Sequence, residues 1–105
     1  MKTNAKRVRD YDFLEELVEN RKHALIDVRS PEDYRYGTVM EAPNAPLRAF
    51  LPVFANTLKE TKKIVLIGSE SDTESLDACA RYAVQNGGVD LNLSYFFIED
   101  RPKDT

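Results

Sequence analysis

The chain is short of most residue types that carry chemistry. Its 105 residues include no tryptophan, one cysteine, one histidine and only four glycines. A single cysteine, Cys79, leaves no internal disulfide and no thiolate cluster for a metal, a usage that fits a reducing cytoplasm. No apolar run approaches the roughly 18 residues that a membrane span needs, and the N-terminus lacks the apolar core of a secretory signal. With 15 basic and 18 acidic residues the net charge is −3, so no strong field invites nucleic acid or an anionic membrane. The expected setting is the cytoplasm, with no nucleic acid, membrane, metal or cofactor as partner.

What is there is ordinary globular material. Hydrophobic residues make up 42% and charged residues 31%, enough to build a core and to solvate it. The length fits one domain, residues 1–105, and leaves no room for a second. The one positive cluster (Lys2, Lys6, Arg7, Arg9) reads as a frayed terminus, so residues 1–9 are expected to be flexible. The same expectation holds for residues 99–105.

Helical and strand signals alternate along the chain. Asp10 or Asp12 can cap a first helix, with Phe13, Leu14, Leu17 and Val18 on its apolar face. Ala24 to Val28 is short, apolar and β-branched toward its end, as a strand buried in a parallel sheet should be. It runs directly into a helix over 31–36: Ser30 is the cap, Pro31 suits the first turn, and Asp33 stands where a capping box puts an acid. Gly37 is the stop. Prolines break up 39–45, which predicts a sheet edge or loop. Leu47, Phe50, Leu51, Phe54, Ala55 and Leu58 form a helical stripe, and Pro52 predicts a break or a second segment starting near it. Ile64–Ile67 is the best buried strand. A helix with Leu76, Cys79, Ala80 and Ala83 on one face then ends at Gly87-Gly88, and Leu91–Ile98 is a final strand. This alternation predicts an α/β fold with a central, mostly parallel sheet of four or five strands and helices on both faces.

Ile26-Asp27-Val28-Arg29 with Glu32-Asp33-Tyr34, followed by Gly37-Thr38-Val39-Met40-Glu41-Ala42-Pro43-Asn44-Ala45-Pro46, resembles the first half of a rhodanese-like domain. That family shows I-D-V-R-x-x-x-E-Y and then G-H-I-x-G-A-x-N-x-P. The resemblance covers about residues 11–98. It implies a catalytic cysteine at the end of the strand Ile64–Ile67, in a loop of the kind C-R-x-G-x-R. There the thiolate takes sulfur from a donor, backbone N–H groups stabilise the charge, and arginines attract the anion. The position that the resemblance gives to the cysteine holds Gly68, in a loop a residue or two longer than usual. The segment Gly68-Ser69-Glu70-Ser71-Asp72-Thr73 has no thiol and no cation, and its acids would repel thiosulfate or phosphate. Glycine forms no persulfide.

Other candidate residues read as structural. Cys79 lies on the core stripe of its helix, where a thiol stays protonated and inert. Glu70, Asp72, Glu74 and Asp77 lack the spacing and central glycine of a calcium loop. Asp27 and Arg29 are expected to pair and brace the first loop against the glycine loop. His23, between Lys22 and Ala24, is expected to be solvated. The reading is a catalytically inactive rhodanese-like domain, a binding or regulatory module that takes another protein or a small ligand at the Gly68 loop. Its backbone N–H nest is expected to survive the loss of cysteine. One alternative is a sulfurtransferase- or phosphatase-type enzyme with an atypical nucleophile. Another is an oligomerising structural domain, with Tyr95, Phe96 and Phe97 as an exposed patch joining copies of the chain.

Overall fold

Four parallel strands make one sheet in the order β1-β4-β3-β2, as seen in a computed structural model that describes residues 6–8 and 10–98. The strands are β1 (Lys6–Val8), β2 (Ala24–Asp27), β3 (Lys63–Ser69) and β4 (Asn92–Ile98). The helices are α1 (Tyr11–Glu19), α2 (Pro31–Tyr36), α3 (Phe50–Leu58) and α4 (Thr73–Gly87), with a short 3₁₀ turn at Leu47–Ala49 before α3. The chain crosses from β1 at one edge to β2 at the other through α1. It then steps back through β3 to β4. Because crossovers are right-handed, reversing the direction of travel moves the helix to the opposite face. Hence α1 covers one face, while α3 and α4 cover the other.

Two core clusters record this division. Ile26, Ile64, Leu66 and Leu93 point to the α3–α4 side, where they meet Phe50, Phe54, Leu76, Cys79, Ala80 and Ala83. Phe50 and Phe54 stack there with ring centroids 5.3 Å apart. Leu25, Val65, Ile67 and Phe96, alternating with the first set as strand geometry requires, meet Leu14 and Leu17 of α1. Pro52 causes no break. It sits in the first turn of α3, where N–H groups have no helical acceptor anyway, and the 3₁₀ turn precedes it.

Several expectations change. Residues 6–8 are not a frayed end: they form β1, in register with Ser94–Phe96 of β4. The sequence hides this because a three-residue edge strand carries no periodic signal, and only the presence of β4 makes it one. The rest of that tail and residues 99–105 lie outside the described residues. Tyr95–Phe97 is not an exposed patch. Phe96 is 7% exposed and belongs to the α1-side core, while half-buried Tyr95 and Phe97 pack on the α3–α4 core with their rings edge to face. β4 is also paired on both sides, with β1 and with β3. His23 is buried at 6% exposure, where the polar neighbours in sequence suggested solvent.

Candidate functional site

The surface at the carboxyl ends of β2 and β3 is assembled from two loops. In the first, Ser30 accepts the Asp33 N–H at 3.2 Å, Pro31 opens α2, and Gly37 ends it at φ 143. Asp10 is the cap of α1, chosen over Asp12 because its carboxylate accepts the Asp12 N–H at 3.0 Å.

Asp27 and Arg29 do pair, and tightly. Arg29 Nη2 and Nε donate to Asp27 at 2.9 to 3.2 Å, and the Arg29 backbone N–H adds a further bond to Oδ1 at 3.0 Å. Thr38, standing where the family pattern has histidine, donates its hydroxyl to Asp27 Oδ2 at 2.6 Å. Arg29 also donates to the Gly37 carbonyl. Asn44 spans the backbone of β2, donating to the carbonyls of Asp27 and Arg29 at 3.0 Å each. The Asp27 N–H and carbonyl close the frame on Pro43 and Ala45 at 2.8 Å each. The pair therefore braces residues 37–45 against β2, and not the glycine loop. Asn44 is the member of this frame that sequence reasoning did not single out, and the family spacing that passes through it was the signal for it. Thr38 stood out in the sequence only as the residue at the family's histidine position.

The frame holds a tight turn in place. The Ala42 N–H donates to the Val39 carbonyl at 3.0 Å, and Met40 and Glu41 sit between them in left-handed backbone, at φ 49 and 56. Two successive positive φ values suit glycine or asparagine far better than these residues.

Gly68 is part of β3, not of the loop after it. It pairs in register with Phe97, and its φ is not left-handed, so no conformational need for glycine exists here. The need is one of space. A Cβ on Gly68 would lie 3.0 Å from Leu76 Cδ2 and 3.3 Å from Cδ1. Leu76, in the second turn of α4, occupies the room into which a side chain at Gly68 would project. No signal in the sequence announces that contact.

The loop beyond satisfies itself. Ser69 Oγ accepts the Ser71 N–H and Ser69 carbonyl the Asp72 N–H, both at 3.2 Å, and the two serine hydroxyls meet at 3.0 Å. Asp72 caps α4 by accepting the Ser75 N–H at 3.2 Å. The expected anion nest does not survive intact, since these three N–H groups are turned to acceptors of the loop itself. Ser69 is buried, whereas Glu70, Ser71, Asp72 and Thr73 are exposed. A cavity of ≈ 10 Å³ separates the loop from Arg29, lined also by Val28, Asp33, Gly68, Ser75 and Leu76. That is the room of about one water molecule. Its one cation, Arg29, is already held by Asp27.

Cys79 is fully buried, one turn beyond Leu76 on the core face. Burial pushes its thiol up to about 12, and the Asp72 carboxylate adds to the effect. A thiol so placed is protonated near neutral pH. Among the described residues no group of histidine, cysteine and carboxylate side chains could hold a metal ion, and no helix is long and apolar enough to cross a membrane.

The family model for the Rhodanese-like domain matches residues 10–95. The chain belongs to the rhodanese-like domain family. The match spans α1 through most of β4, including both the Asp27–Arg29 frame and the Gly68 strand of this rhodanese-like domain. A search of curated proteins finds no match.

Proposed function

We propose that this rhodanese-like domain performs no sulfur or phosphoryl transfer and works as a binding or regulatory module in the cytoplasm. The observation that carries the reading is Gly68 at the nucleophile position with Leu76 packed into the space beside it. Chemistry by group transfer needs an activated nucleophile and donors aimed at developing charge. Here the nearest thiol is buried and protonated, the loop N–H groups bond within the loop, and the nearest guanidinium neutralises Asp27.

The partner is another protein, not a small molecule. At the Gly68 loop the cavity has room for about one water molecule, too little to enclose a metabolite. The exposed side chains of Glu70, Ser71, Asp72 and Thr73, with Glu74 beyond them, face outward from the carboxyl ends of the strands, and they suit a basic segment.

The test is an assay of the purified protein with thiosulfate and cyanide, and with an aryl phosphate. No turnover above buffer is expected. Turnover with either donor, abolished by a substitution within residues 68–73 or at Cys79, would overturn the proposal. For the partner, affinity capture should be lost in Glu70→Lys/Glu74→Lys and kept in a variant altered on α3. Equal capture by both variants would move the docking surface elsewhere.

A further inference from the structure

His23, the only histidine of the chain, lies in the connection from α1 to β2. In the Nδ1–H tautomer its ring donates to the Leu17 carbonyl at 3.2 Å, and its backbone N–H donates to the same carbonyl at 2.9 Å. Leu17 and Leu14 are the two residues by which α1 is buried against Leu25, Val65, Ile67 and Phe96. The ring is thus tied to a residue that anchors α1, the helix packed on that face of the sheet among the described residues.

The charges around the ring are of one sign. Arg21 belongs to the same connection, and Lys63 of β3 reaches the Arg21 carbonyl with Nζ at 3.5 Å. Lys22, at φ 59, directly precedes the histidine. From α1, Glu16 is turned to Asn20 at 2.6 Å and to Arg21 at 3.9 Å. Among the described residues no carboxylate acts on the ring, although the Leu17 and Arg21 carbonyls favour its charged form. A proton added at Nε2 leaves the Leu17 bond in place but is desolvated and repelled by Lys63 and Arg21.

We propose that His23 is an acid-operated latch, whose protonation loosens α1 from its face of the sheet while the α3–α4 side stays closed. The division of the core makes the response local. Two buried residues of α1 hold one face, whereas Phe50, Phe54, Leu76, Cys79, Ala80 and Ala83 hold the other. Burial, reinforced by the charges of Lys63 and Arg21, outweighs the Leu17 and Arg21 carbonyl bonds and keeps the closed ring below the ordinary value of 6.5. The open ring titrates at the ordinary value, so the open state takes up the proton first. The latch is fully closed above pH 6.5 and weakens as pH falls from there toward the closed-state value. Within that window each pH unit raises the ratio of open to closed molecules by up to about tenfold. Opening would bare Leu25, Val65, Ile67 and Phe96 to a partner.

The latch is tested by NMR of the single imidazole together with amide hydrogen exchange, on wild type and His23→Gln, on the acid side of neutrality. The imidazole should titrate below 6.5. After correction for intrinsic exchange, protection of α1 amides should fall by up to about tenfold per pH unit, while β3 and α4 hold theirs. His23→Gln keeps a donor for the Leu17 carbonyl and should abolish that pH response. Titration at or above 6.5, equal loss of protection in all elements, or an unchanged pH response in His23→Gln would overturn the latch. If His23→Gln does not fold, the wild-type imidazole titration and the α1-against-β3 comparison decide alone.

Discussion

Replacing Gly68 by alanine measures how tightly Leu76 fills the space beside it. The new Cβ would meet Leu76 Cδ2 at 3.0 Å, Cδ1 at 3.3 Å and Cβ at 3.4 Å. Carbon pairs prefer about 3.5–4.0 Å, so Leu76 has to yield by several tenths of an ångström. At 1% exposure, within the α3–α4 core, Leu76 can yield only toward the water-sized cavity that it lines together with Gly68. Two effects compete. Alanine recovers the roughly 0.5–1 kcal/mol that glycine costs inside a strand. Overpacking a closed core costs about 1–3 kcal/mol. The second wins, and the expected net loss is about 0.5–2 kcal/mol, with Tm lower by roughly 4–8 °C per kcal/mol for a domain of this size. Gly68→Cys should lose more, because Sγ projects further into the same place. Leu76→Ala alone should cost about 2–5 kcal/mol, and Gly68→Cys should then add less than it does to wild type, since the two residues share one space. Thermal and urea unfolding of wild type, both single variants and the double variant give the coupling directly. A Gly68→Ala protein as stable as wild type, or strictly additive losses in the cycle, would refute the reasoning. Gly68→Cys should also show no thiosulfate turnover, because the loop supplies no cation to attract the donor or to stabilise a thiolate.

Other expectations follow from the same geometry. Asp27→Ala strands Arg29 and Thr38 without their shared acceptor and should cost about 3–5 kcal/mol in denaturant unfolding, whereas a loss under 1 kcal/mol would mean that solvent reaches the pair. Cys79, fully buried and with its thiol pushed up to about 12, should react with a thiol reagent orders of magnitude more slowly in the native protein than in denaturant; similar rates would remove it from the core. Glu41→Gly relieves a left-handed residue and should stabilise by about 0.5–1 kcal/mol, after allowing for the greater freedom of glycine in the unfolded chain. A lower Tm for that variant would show that the Glu41 side chain makes a contact worth more than the strain.

What the sequence by itself determined was local or periodic. Ser30, Pro31 and Gly37 mark the bounds of α2 because caps act through neighbours one to four residues away. The Leu76–Ala83 spacing put Cys79 in the core, since 3.6-residue periodicity reports which face is buried. The spaced pattern from Ile26 to Pro46 pointed to the rhodanese-like family, because a motif of this kind is read from the order of residues alone. Only the tertiary structure decided the rest, because each remaining fact depends on residues far apart in the chain. His23 is buried by the closure of α1 onto β3, so its polar neighbours misled. Residues 6–8 became a strand because β4 offers them an edge, more than eighty residues later. Arg29 turned toward Gly37 and Asp27 instead of the Gly68 loop because Thr38 and Asn44 fix the intervening segment against β2. The contact between Gly68 and Leu76 joins a strand to the helix after it, and the packing of that helix on the strand, not any local preference, brings the two together.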